Sequence, residues 1–235
     1  MVGMSDLQAV FWDMDGTLVD TEPYWIDAEY ELVQAHGGTW SEEKAHQLVG
    51  QALTYSAGIL QEAGVDLTKE QIITHLSAQV AARCAEAPPW RPGALELLTE
   101  LKFAGIRCAL VTMSWKLLAD PIMAALPEGT FEFAVTGDMV SAGKPDPEAY
   151  ELAFEKMAGD HTERTGEALV KDRSIAIEDS VPGTAAAAAS GLVTLAVPHY
   201  STLPASQQWH QWKTLDGATV ADLQTLLKTS AAAAV

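Results

Sequence analysis

The chain has 235 residues, 48% of them apolar and 20% charged, which is ample material for a buried core and carries no disorder-like bias. Fourteen Lys and Arg against 32 Asp and Glu leave a net charge of −18, which argues against nucleic-acid binding and against an anionic membrane surface, since both need clustered cations. Two cysteines, Cys84 and Cys108, are too few for a disulfide scaffold. No apolar run reaches the roughly 18 residues of a membrane span, and Met1 to Asp6 show no leader pattern. The expectation is an acidic, soluble, cytoplasmic protein, a monomer or weak dimer.

Along the chain, short apolar runs alternate with helical patterns. Residues 9–12 form a compact apolar run stopped by Asp13, and a second run at 107–111 stops at Thr112. Further runs at 131–135, 174–177 and 192–197 stop at Thr136-Gly137-Asp138, Glu178-Asp179 and Pro198. Between them, helical spacing predicts helices over 94–103, 117–126, 147–157 and 182–190. Fully apolar strands joined by helical crossovers predict an α/β fold with a parallel sheet covered on both faces, whose strand order these patterns do not give. The alanine run before Gly191 is expected to be a helix packed closely on that sheet. Residues 230–235 are expected to fray.

One segment breaks the alternation. Between Thr21 and Glu86 only helical patterns occur, at 24–34, 42–49, 55–62 and 70–84. Thr21-Glu22-Pro23 leads in, and the proline cluster Pro88-Pro89-Trp90-Arg91-Pro92 leads out. This reads as an all-helical cap, residues 21–90, inserted after the first strand into a core made of residues 1–20 and 91–235.

Polar residues gather where the predicted strands end: Asp13 and Asp15, Thr112 and Ser114, Glu178 and Asp179. In open parallel sheets that end is where ligands bind. Carboxylates brought together there repel one another and need a cation, and oxygen ligands without His or Cys favour Mg²⁺ over zinc. Asp13 and Asp15, two residues apart in extended chain, point the same way, and Gly16 permits a tight turn whose amides face an anion. Taken singly, each residue has a bland role: turn-forming aspartates, a surface lysine, helix caps.

Together, Asp13-x-Asp15-Gly16-Thr17, Thr112, Lys144 in Gly143-Lys144-Pro145-Asp146-Pro147, and Glu178-Asp179-Ser180 resemble, in order, the motifs of the haloacid-dehalogenase-like hydrolase superfamily. The placement of the helical cap is similar to the β-phosphoglucomutase-like branch, and the resemblance implies a doubly wound, Rossmann-like parallel sheet core. The resemblance implies that Asp13 is a nucleophile forming an aspartyl-phosphate and that Asp15 is the acid and base. It implies that Thr112 and Lys144 contact the phosphoryl group, with Met14, Gly16, Met113 and Ser114 around it. It also implies that Mg²⁺ is held by Asp13, Asp15 through its carbonyl, Glu178 and Asp179.

Within that superfamily, Asp15 and the Glu178-Asp179 pair argue against dehalogenation and phosphonate cleavage, which need no second acid. Against the mutase pattern, Trp25 stands where a His is expected, and Val49 and Leu53 where a cationic pair clamps a second phosphate. A phosphatase is therefore favoured, with a phosphomutase or a catalytically silent phosphate-binding protein as alternatives. The cap holds ten Asp and Glu but only Lys44, Lys69 and Arg83, so a small phosphomonoester with a neutral hydroxylated body is the expected substrate. Trp25, Gln51, Tyr55 and Trp115 are the candidate substrate contacts.

Overall fold

The computed structural model describes residues 7–48, 51 and 53–233. Six parallel strands lie in the order β3-β2-β1-β4-β5-β6. They are β1 (Ala9–Trp12), β2 (Arg107–Val111), β3 (Ala134–Val135), β4 (Ser174–Glu178), β5 (Val193–Ala196) and β6 (His210–Gln211). Every residue of β1, β2 and β4 is buried, because helices cover both faces. Strand alternation separates two cores. Val10, Trp12, Cys108, Leu110, Ile175 and Ile177 face one side, while Ala9, Phe11, Ala109, Val111 and Ala176 face the other.

The first face meets α5 (Ala94–Phe103) through Leu97, Leu98 and Leu101, α6 (Lys116–Ala124) through Leu118 and Ile122, and α9 (Val220–Ala233) through Leu223, Leu226 and Leu227. The second meets α7 (Glu148–Thr165) and α8 (Val181–Ala189) through Tyr150, Ala153, Met157, Ala186 and Ala187. Alanines on that face of β1, β2 and β4, opposite those on α8, leave room for close helix-to-sheet packing. The order in which strands are added reverses at β1: β2 and β3 lie to one side of it, β4 to β6 to the other. The crevice beyond the carboxyl ends of β1, β2 and β4 is thus the natural ligand position.

Between β1 and α5 lie α1 (Glu22–Ala35), α2 (Glu42–Leu48), α3 (Leu53–Glu62) and α4 (Lys69–Glu86). Helix α4 opens with a capping box, Thr68 and Gln71 satisfying each other's backbone N–H groups. It packs on α1 and α3 and runs along α6, so the apolar cluster of these helices is continuous with the first core. The two connections to the sheet lie side by side: Val19 and Trp90 form an antiparallel bridge, the Asp20 N–H donates to the Pro89 carbonyl at 2.8 Å, and the Arg91 N–H to the Leu18 carbonyl at 2.9 Å.

The structure departs from the sequence expectations at chain segments with weak or mixed patterning. The run 131–135 yields only two residues of regular strand, because Glu132 inside it is drawn to Arg107 and Arg164, although its N–H still donates to the Cys108 carbonyl. Helix α7 continues eight residues past 157, to a stop at Gly166 in the left-handed region (φ 80°). Residues 230–233, expected to fray, continue α9. Trp209-His210-Gln211-Trp212, which carries no strand period, supplies the edge strand β6. Both cysteines are free and buried. No described helix is long and apolar enough to cross a membrane.

Candidate active site

Asp13 follows the last residue of β1, its N–H donating to the Ile177 carbonyl of β4 at 3.0 Å. This register sets it beside Glu178, which ends β4, and Asp179. The three carboxyls are buried and offer oxygens within 4.8 Å of one another. Lys144 reaches into the group from the segment before α7. Its Nζ donates to Asp13 Oδ1 at 2.7 Å, to Glu178 Oε1 at 2.6 Å and to the Val111 carbonyl at 3.0 Å. The Tyr150 hydroxyl, one turn into α7, donates to the same Glu178 Oε1 at 2.7 Å. Asp13 Oδ2 is buried without a hydrogen-bond partner among the described residues.

The electrostatics follow from this crowding. Burial, then repulsion from Glu178, raises the Asp13 pKa to about 7 in spite of Lys144. Burial, then Asp13 and Glu178, pushes Asp179 well above the usual carboxylate range. For Lys144, burial works against the charge, but Asp13 and Glu178 outweigh it and hold the ammonium firmly protonated. One cation thus faces three clustered carboxyls, one with an idle oxygen. This is a hard, oxygen-only set of the kind that suits a divalent cation. Asp13 and Asp179 are near enough to share one.

The turn after β1 is shaped by this approach. Gly16 adopts φ 89°, and a Cβ there would meet Asp179 Oδ2 at 2.2 Å. Met14 is not at the surface of the site: its side chain lies in the core, and its carbonyl accepts the Leu18 and Val19 N–H groups at 2.9 and 3.0 Å. Asp15 shares the cavity with Asp13, but its carboxylate is held by hydroxyls. Thr21 donates to Oδ1, Ser114 to Oδ2 at 2.7 Å, and Thr112 to Oδ2 at 3.2 Å. Thr112 in turn accepts the Ser114 N–H at 2.9 Å, so that amide is already used. The Met113 sulfur accepts the Lys144 N–H at 3.3 Å.

Helices α1, α3 and α4 roof the cavity. Trp25 and Gln51 line it, whereas Tyr55 and Trp115 do not. Helix α3 buries Ser56, Ala57 and Leu60, and this turns Tyr55 outward to 53% exposure, with Leu53 and Ser56 in its place. Trp115, at the head of α6, is partly buried and packs against the first core instead. Val49 lies outside the described residues. Cys84, close enough to feel Asp15, has its thiol pushed up to about 12, first by burial and then by that charge, so it is not a thiolate nucleophile.

Several site residues escaped the sequence reading. Tyr150 reads as an ordinary apolar position of α7, and only the fold sets its hydroxyl on Glu178. Thr21 reads as the start of a linker. Glu22 and Glu29 line the cavity from α1; their three-and-four spacing with Trp25 was the available signal.

A family signature for haloacid dehalogenase-like hydrolases matches residues 7–191. The chain is 29% identical over 188 residues to a phosphorylated carbohydrates phosphatase of Thermotoga maritima, covering 79% of this chain and 82% of that protein. It is 30% identical over 207 residues to a phosphoglycolate phosphatase of Agrobacterium fabrum, covering 83% and 82%. Among solved structures, CbbY of Rhodobacter sphaeroides in complex with phosphate superposes with a TM-score of 0.79 at 25% identity, covering 92% of this chain and 99% of that one. The chain belongs to the haloacid dehalogenase-like hydrolases, alongside members named as phosphatases.

Proposed function

We propose that this protein is a Mg²⁺-dependent phosphatase of small sugar- or polyol-type phosphomonoesters, working through a phosphoryl group carried on Asp13. The observation that carries this reading is the idle, buried Oδ2 of Asp13, on a carboxylate whose Oδ1 is held by Lys144. A carboxylate attacks a phosphate dianion only where cations offset the charge of both. Asp13, Glu178 and Asp179, with the Asp15 carbonyl, would hold Mg²⁺, which when bound neutralises charge on the phosphoryl oxygens and on Asp13.

Asp13 attacks phosphorus, the bond from phosphorus to the leaving oxygen breaks, and that oxygen takes a proton from Asp15. Water then attacks the phosphorus of the acyl phosphate and gives a proton back to Asp15. The phosphorus–oxygen bond to Asp13 breaks, and phosphate and free Asp13 result. Lys144 stays protonated throughout and balances the equatorial oxygens. Thr21, Thr112 and Ser114 orient the Asp15 carboxyl. Residues 21–90 act as a cap over the site, moving about the paired connections at Val19 and Trp90, and closure keeps bulk water from the acyl phosphate.

The names of the relatives point both to carbohydrate phosphates and to phosphoglycolate. Acidic lining by Glu22 and Glu29 favours the former, since a substrate carboxylate would be desolvated there with no free cation among the described lining residues to pair with it. Trp25 in the cavity, where a mutase carries His, favours hydrolysis over isomerisation. The test is a phosphate-release screen across metabolite phosphomonoesters with Mg²⁺, with Asp13→Asn as background. The variant is expected to stay folded and to lose several orders of magnitude, roughly 10³ or more, in turnover. Near-wild-type hydrolysis by it would refute the assignment, and an isomeric phosphate product in place of free phosphate would favour a mutase.

A further inference from the structure

Helix α1 turns Glu22, Trp25 and Glu29 toward the cavity from one face. Glu29 is 5% exposed, borders the cavity, and its Oε2 has no hydrogen-bond partner among the described residues. The Trp40 indole N–H lies near enough to favour the ionised form, yet it is not placed to hydrogen-bond the carboxyl and has no partner of its own among the described residues. Repulsion links the acids in sequence, Asp15 acting on Glu22 and Glu22 on Glu29. A file of carboxyls therefore begins at Asp15 and leads from the sheet into the helical roof.

Nothing cationic answers this file. Among the described residues Lys144 is the one Lys or Arg lining the cavity, and Asp13 and Glu178 occupy it. Arg91 is turned to His199 at 2.7 Å, Arg83 to Asp27 and Glu31, and Lys44 lies over the Trp40 ring. A buried carboxyl oxygen without a donor is costly to keep, so its partner is expected to arrive from outside the chain.

We propose that Glu29, backed by Glu22, is the specificity-determining group for the far end of the leaving group. It accepts hydrogen bonds from a donor there, a hydroxyl or an ammonium, and turns away leaving groups that carry a carboxylate or a second phosphate. The inference rests on the phosphatase reading above. A phosphorylated substrate anchored at Asp13 passes Asp15 and Glu22 before reaching Glu29, so the anion is read at one end and the donor at the other. An anion there would be desolvated while Lys144, the one Lys or Arg of the described lining, is already held by Asp13 and Glu178.

The test compares kcat/KM for glycerol 1-phosphate, O-phosphoethanolamine, phosphoglycolate and fructose 1,6-bisphosphate, with acetyl phosphate as a substrate too short to reach Glu29. In the wild-type protein the better of the two donor-bearing substrates is expected to exceed phosphoglycolate and the bisphosphate by about tenfold or more. In Glu29→Gln and Glu22→Gln that ratio is expected to narrow about fivefold or more, chiefly through KM. Whether glycerol 1-phosphate or O-phosphoethanolamine leads tells a hydroxyl from an ammonium, and either order supports the proposal.

If Glu29→Gln does not fold by its melting curve, the ratio in Glu22→Gln decides. Ratios moving less than fivefold in the folded variants, or a wild-type preference for phosphoglycolate or the bisphosphate, would overturn the proposal and leave Glu29 as a structural neighbour of Trp40. Failure of the wild-type protein to release phosphate from acetyl phosphate with Mg²⁺ would sink the phosphatase reading, and this inference with it. Acetyl phosphate turnover with unmoved ratios would sink the inference alone.

Discussion

Gly183 sits beneath the carboxyl of Glu178, where a Cβ would stand 1.9 Å from Oε2. Any side chain there must push either Glu178 or the first turn of α8 aside, and Ser180, which caps that turn by accepting the Gly183 N–H at 3.1 Å, anchors the helix in place. Gly183→Ala is therefore expected to lower turnover about a hundredfold through misplacement of Glu178, read from steady-state phosphate release. Tyr150 acts on the same carboxyl from the opposite side. Tyr150→Phe keeps the ring that packs below Lys144 (5.0 Å from Nζ to the ring centre) and removes only the hydroxyl. Affinity for Mg²⁺ is expected to fall about tenfold, measured from the Mg²⁺ dependence of the melting temperature. Neither effect is visible from residue type. A tyrosine and a glycine on two different helices become partners only because both helices cover the same face of the sheet at β4.

At the scale of elements, the two ends of β2 do different work. Its carboxyl end leads into Thr112 and Ser114, while its first residue, Arg107, lies buried at the far end of the sheet. Arg107 donates to Glu132 and Asp160 and to the Met157 carbonyl, and so ties β2 to the 131–135 run and to α7. Removing the guanidinium leaves Glu132 half-buried with only Arg164. Arg107→Ala is expected to cost about 3 kcal/mol in urea unfolding, with kcat at saturating substrate unchanged. The same tie explains the difference between the sequence expectation and the structure here. The period of the apolar run predicts five residues of strand, but a charged residue inside it answers to a partner 25 positions away. Segments with unbroken periodicity, such as β1, β2 and α5, have the bounds that their apolar spacing alone predicts. The edge strand β6 is two residues long and too short to have a period, so its position is decided by the free edge of β5.

At the scale of the molecule, acidity is concentrated around one cavity. Burial, followed by repulsion from Glu22, raises Glu29 from an ordinary 4.5 to about 8. The unfolded chain releases this proton near 4.5 and the folded chain keeps it to about 8, so between these limits the folded state binds more protons and stability falls as pH rises. Glu22, raised to about 7 by burial and by Asp15, works in the same direction. Glu29→Gln, which has no proton to lose, is expected to gain on the wild-type protein by a few kcal/mol, on the order of 2 to 4, between pH 5 and pH 8.5. Chemical denaturation of both proteins at the two pH values, without divalent ions, checks this. An equal fall in both would place the pH-sensitive group elsewhere.

The sequence by itself determined the doubly wound sheet, the helical insertion and the motifs at the strand ends, because a parallel strand buried on both faces must be apolar until it reaches the ligand crevice and polar at that point. Only the tertiary structure decided which side chains meet there. It placed Tyr150 on Glu178 and Asp15 among three hydroxyls, sent Tyr55 to solvent, and brought Glu22 and Glu29 over the cavity. These outcomes depend on the rotation of a helix about its axis and on contacts between distant segments, and a one-dimensional pattern carries neither.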